Sequence, residues 1–233
     1  MSIRPIGDYD VVVLEQRWGS ESGETLTAPT VLRPRMFAHG NAARLAVTDR
    51  DAPDRAGSDR RDITEIPILD RLERMSISAN RVADEASIPG EVVVELDRDI
   101  WRPATAPGYL KLFIADRGNE GTIAIVLTRF IVDHLVDVSS LLDHACVETR
   151  SLPEWDEHEV TRTPAGYRTE GTSLQTGTYL GDDQRWFCAM RYAAYRRGNV
   201  AYLLHAAGTA PAREGAEFRG AIARGVGTVA LDD

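Results

Sequence analysis

The chain has 233 residues, 43% of them hydrophobic and 27% charged, an ordinary globular composition that suffices for one good core. A net charge of −9 argues against a broad nucleic-acid surface, because phosphate binding needs a basic face. No stretch approaches the roughly 20 apolar residues of a membrane span, and the two cysteines, Cys146 and Cys188, are too few for a disulfide framework or a zinc site.

Taken in chain order, residues 1–48 read as a small N-terminal β extension. The run Val11–Leu14 within Asp10–Arg17 is apolar and mostly β-branched, as in a strand covered on both faces. Weaker strands are expected at Thr30–Leu32 and Arg44–Thr48. The opening MSIRPIGDYD has neither the charged nor the apolar region of a secretory signal, and no lipobox cysteine, so a soluble cytoplasmic protein is the expectation. Residues 49–88 read as a charged linker with a short helix. Nine of the fourteen residues Asp49–Asp62 are charged, which leaves nothing to anchor a core. Beyond them Ile68, Leu69, Leu72 and Met75 are spaced like one helical face, with Pro67 at its start. The following SISANRVADEASIPG reads as polar turns.

Residues 89–233 carry the regular pattern. Strands are expected at Val92–Leu96, Tyr109–Ala115 and Thr122–Val132, with a loop at Asp97–Pro107 and a hairpin turn at DRGNEG. The spacing of Val138, Leu141, Leu142 and Ala145 predicts a helix over Asp137–Thr149, capped by Asp137 and ended by Pro153. Trp155–Thr163 reads as a strand of alternating exposure. From Gly171 to Thr209 three long antiparallel strands follow, with Gly181-Asp182-Asp183 and Arg197-Gly198-Asn199 as turns. A last helix is expected from about Pro211 to Arg224, with Gly225 as its stop.

No motif in the chain points to catalysis. HExxH, G-x-S-x-G, P-loop and dinucleotide fingerprints are absent, so no cofactor, metal or catalytic residue is assigned. The pairs Asp133-His134 and Asp143-His144 are sequence neighbours whose side chains diverge, and His205 shares a strand face with Leu203 and Ala207. A satisfied core or edge histidine explains His205 better than a general base does. Aromatic residues and arginines, the types enriched at binding surfaces, concentrate in the last three strands. Trp186, Arg191, Tyr192, Tyr195, Arg196 and Arg197 are therefore the candidate binding residues, against the plainer reading that strand aromatics fill the core.

From Pro89 onward the chain resembles the actinobacterial LpqN/LpqT lipoprotein family. The resemblance lies in serial order: Val92–Leu96 and Trp101-Arg102-Pro103; the strand IAIVLTRF; the segment SSLLDHACVETRSLPEW; GYRTEGTSLQTGTY; the strand bearing Arg191 to Arg196; then NVAYLLHAAGTA and a terminal helix. It implies a PsbP-like α+β sandwich, an antiparallel β-sheet backed by helices. It also implies a non-enzymatic module that binds a protein partner or a small apolar ligand, in a cell-envelope context. Two other functions stay open at this point: an accessory protein whose specificity lies in the N-terminal portion, and an enzyme with an Asp/His site assembled from distant segments.

Overall fold

The structure is a computed structural model that describes residues 3–6, 9–12, 66–116, 119–181 and 184–232. The chain divides into two units, Met1–Glu65 and Ile66–Asp233. In the first, β1 (Ile3–Ile6) pairs antiparallel with β2 (Tyr9–Val12), so the apolar run at Val11 does lie partly in a strand. The strands expected at Thr30–Leu32 and Arg44–Thr48, and the charged stretch Asp49–Asp62, lie outside the described residues.

The second unit runs α1 (Ile68–Met75), β3 (Ser78–Arg81), β4 (Glu91–Val93), β5 (Trp101–Ala104), β6 (Lys111–Ala115) and β7 (Thr122–Ile131). A 3-10 helix (Val138–His144) and α2 (Val147–Arg150) come next. They are followed by β8 (Asp156–Thr163), β9 (Gly171–Gly181), β10 (Gln184–Arg197), β11 (Val200–Pro211), α3 (Ala216–Thr228) and β12 (Ala230–Asp232). Eight strands form one antiparallel sheet in the order β5-β6-β7-β11-β10-β9-β8, with β3 pairing the far half of β7. β12 and β4 make a separate two-stranded ribbon. This is an α+β fold, a large antiparallel sheet backed by three helices, in keeping with the PsbP-like sandwich.

The period of two along β10 and β11 sorts side chains onto the two faces of the sheet. One face carries Phe187, Ala189, Ala193, Tyr195, Leu204 and Ala206, and these join Phe218, Ile222 and Val226 of α3 in a single apolar cluster. Small residues here let the helix settle close to the backbone. A Cβ at Gly208 would overlap Ile222 and Val226, so that position has room for hydrogen alone. Trp101 stacks on Phe218 with ring centroids 5.6 Å apart and closes one end of this layer. The opposite face carries Cys188, Met190, Tyr192, Leu203 and His205, all buried. The 3-10 helix packs over that side against β10, β9 and α1.

Several elements differ from expectation, each for a local reason. The helix predicted over Asp137–Thr149 is broken into the 3-10 turn and α2. Asp137 does cap it, accepting from the Ser139 N–H at 2.9 Å, but Ser140 Oγ donates back to the Asp137 carbonyl at 2.7 Å. Such local hydroxyl bonds compete with a regular helix. The last helix starts at Ala216, because Pro211 is still paired with Trp186 in the sheet. Gly225 is inside that helix, where Leu96 packs against it; the stop comes at Val229.

The expected loop Asp97–Pro107 holds β5, an outermost strand that tolerates Pro103 because its outer edge has no strand partner among the described residues and needs no N–H there. Polar SANR forms β3, drawn in because β6 covers just the first half of β7. β8 was expected to alternate in exposure, yet all eight of its residues are exposed.

Candidate functional site

The most chemically pointed cluster lies inside, on the sheet face under the 3-10 helix and α2. Tyr192 OH donates to Glu148 Oε2 at 3.0 Å, bonding β10 to α2. The Tyr192 ring stacks on His205 of β11 at 4.5 Å, as their direct pairing in the sheet dictates, and the His205 Nε2 faces Met190 Sδ. Burial pushes the Glu148 carboxyl up, a rise that the Tyr192 hydroxyl opposes and the nearby Asp70 reinforces. Burial lowers His205 to about 3, helped by the Arg81 charge, so the imidazole stays neutral at physiological pH. The same burial raises Tyr192 well above its ordinary value.

Beside this cluster, Thr149 Oγ1 bonds Gln175 Oε1 and Gln175 Nε2 donates to Glu157 at 2.6 Å. Glu157 takes a two-pronged ion pair from Arg150 at 2.9 and 3.0 Å, which holds its carboxyl below the usual range. These groups satisfy one another and knit α2 to β8, β9 and β10.

The histidines do not converge. His144 Nδ1 bonds the Ile66 carbonyl at 2.9 Å, His134 pairs with its neighbour Asp133 in solvent, and His158 lies at the sheet edge 6.3 Å from Phe187. Among the described residues no three His, Cys, Asp or Glu side chains are gathered as metal ligands. Cys188 is buried in apolar surroundings that push its thiol up to about 12, and Cys146 is half-buried and also raised, chiefly by burial.

The six candidate binding residues fall on both faces of β10. Trp186, Tyr192 and Arg196 point to the 3-10 side, and Arg191, Tyr195 and Arg197 to the α3 side. Several of them brace the fold. Arg191 Nε donates to the Val229 carbonyl at 3.0 Å, and Tyr195 OH accepts from the Leu231 N–H at 3.0 Å, together fixing the chain after α3. Trp186 is 7% exposed. Arg196 reaches out: its guanidinium donates to the carbonyls of Gly198 at 2.8 Å, Val136 at 2.6 Å and Asp133 at 3.1 Å. Arg197 is exposed at the turn.

Arg196 leads to a surface that the sequence pattern did not reveal. Ile77 N–H bonds the Ile131 carbonyl, Val132 N–H bonds the Asn199 carbonyl, and Glu170 N–H bonds the Ala194 carbonyl. The segments around residues 77, 132–136, 164–170 and 198–199 therefore share one end of the sheet, about 20 Å wide at strand spacing. Three of the five large hydrophobics exposed among the described residues stand there: Ile77 at 75%, Leu135 at 83% and Tyr167 at 102%. Arg196 is the brace that ties the Leu135 loop to the β10–β11 turn.

No family model matches the chain, and no curated protein does. Among solved structures it superposes on the crystal structure of LpqN, involved in cell envelope biogenesis of Mycobacterium tuberculosis. The TM-score is 0.59 at 16% identity, over 72% of this chain and 99% of that one. At the level of fold, the chain resembles LpqN. Such low identity carries the sandwich architecture and nothing about individual side chains. Within the described residues, no helix is long and apolar enough to cross a membrane.

What the sequence reading missed was the sheet end. Ile77, Leu135 and Tyr167 are isolated apolar residues in polar segments, and only the pairing of β3, β7, β11, β10 and β9 in turn brings their segments to the same end of the sheet. The one sequence signal was Arg196 next to the Gly198-Asn199 turn.

Proposed function

We propose that the chain is a non-catalytic binding module that engages a protein partner through the sheet end bearing Ile77, Leu135 and Tyr167. One observation supports this above others: three separate segments each lift a large apolar side chain into solvent at the same end. Single exposed hydrophobics are commonplace, whereas a group of them rimmed by polar residues marks an interaction site. Arg196, which belonged to the initial candidate set, serves there by holding the Leu135 loop. The Glu148–Tyr192–His205 cluster supports the non-catalytic part of the reading, since Tyr192 and His205 are buried and neutral and each is already engaged within the fold. The likeness to LpqN directs the search for the partner to proteins of the cell envelope.

The test compares retention of binding proteins by the wild-type chain and by Leu135→Ser/Tyr167→Ser. Loss of two exposed anchors from an interface centre is expected to cost about 2–4 kcal/mol, a weakening of thirtyfold or more. A partner held equally by both chains contradicts the proposal, as does saturable turnover of a substrate abolished by a single His or Asp change. Saturable uptake of an apolar small molecule without any protein partner would favour the ligand-carrying reading instead.

A further inference from the structure

The outermost strand β8 has no neighbour on its outer side among the described residues, and all eight residues from Asp156 to Thr163 are exposed. A strand in that position presents a row of backbone N–H and C=O groups ready to pair with another chain. Its side chains decide which chain. Glu157 and Arg162 are taken: the first is clasped by Arg150, the second is paired with Asp143, both on the 3-10 side. On the α3 side, register with Thr178 and Thr176 places Asp156 and Glu159. Among the described residues Asp156 has His158 at 4.0 Å, and Glu159 accepts from the Thr161 hydroxyl at 3.2 Å. Neither carboxylate has an arginine or lysine partner among the described residues.

Asp156 and Glu159 repel a second copy of this acidic strand, and the bulge at His158 between Glu157 and Glu159 disturbs flat edge-to-edge stacking. The same charges attract a cationic strand, because opposite charges facing one another across a strand pair are stabilising and like charges are not. We infer that the β8 edge accepts an extended basic segment of another protein as an added strand, with Lys or Arg at alternate positions facing Asp156 and Glu159. This inference shares with the preceding reading the premise of a binding role, but it rests on a different surface.

The test uses the full chain and two capped decapeptides, one alternating lysine with valine and one alternating glutamate with valine. Amide hydrogen exchange of residues 156–163 is the readout. The lysine peptide is expected to slow exchange in β8 about fivefold at a concentration near four times its Kd, with the effect weakening as salt rises. Asp156→Lys/Glu159→Lys, two exposed changes that leave the core intact, should abolish that protection. Thr161→Pro should abolish it as well by disturbing the edge. Equal protection by both peptides, protection away from β8, or protection that survives the charge reversal overturns the inference. Leu135→Ser/Tyr167→Ser should leave the peptide effect unchanged, so failure at one surface is distinguishable from failure at the other.

Discussion

At the scale of single residues, the interior of the sheet is polar in a deliberate place. Tyr192, Glu148 and His205 are carried by three different elements, and each finds a partner in the cluster. The sequence identified Tyr192 as worth attention but offered no means of knowing that Glu148, on a short helix, would meet its hydroxyl. The linkage signs are opposite for the two titratable groups. His205 falls from an ordinary 6.5 to about 3 on folding, so the stability it lends is complete above 6.5 and drains as pH falls toward 3. Glu148 is raised, so its contribution is complete below its ordinary 4.5 and is lost as pH climbs through its higher folded value. His205→Gln is accordingly expected to flatten the decline in melting temperature between pH 6.5 and 3. Thermal unfolding of both chains across that range checks it; parallel curves would mean that His205 protonates freely in the folded protein.

At the scale of elements, the strands were largely legible and the helices less so. β7, β10 and β11 announce themselves through long, largely apolar runs and β9 through its position before the Gly181-Asp182-Asp183 turn, and their pairing in the sheet follows. β3 and β5 were not legible, since SANR and WRPA gain strand character from the neighbours that pair with them. Propensity is a weak guide where tertiary pairing decides. Glycine shows the same ambiguity: Gly225 resembles a helix stop, yet it serves close contact with Leu96. Gly208 is the stricter case, because α3 rests directly on it. Gly208→Ala is expected to cost about 1–3 kcal/mol by forcing Ile222 and Val226 away. Denaturant titration should show a lower midpoint with an unchanged slope; an unchanged midpoint would mean that α3 shifts without penalty.

At the scale of the whole molecule, the sequence-level resemblance to the LpqN/LpqT family and the superposition on LpqN agree on architecture. Neither says which surface is used. The aromatic and arginine residues that first drew attention split between the two faces of β10, where Arg191 and Tyr195 secure the C-terminal segment and Tyr192 secures α2. The candidate surface is instead assembled from loop residues with no shared periodicity, which is why pattern reading passed over it. Arg196 connects the two accounts, being both a strand arginine and the clamp on the loop that lifts Leu135 into solvent.

Site-specific photocrosslinking tests the proposed binding surface most directly. With a photoreactive phenylalanine at position 135 or 167, the account predicts that both positions capture the same protein in the living cell. The same group at Leu180, on the opposite end of β9, should capture none. Capture from Leu180 alone, or of unrelated proteins from positions 135 and 167, would contradict it.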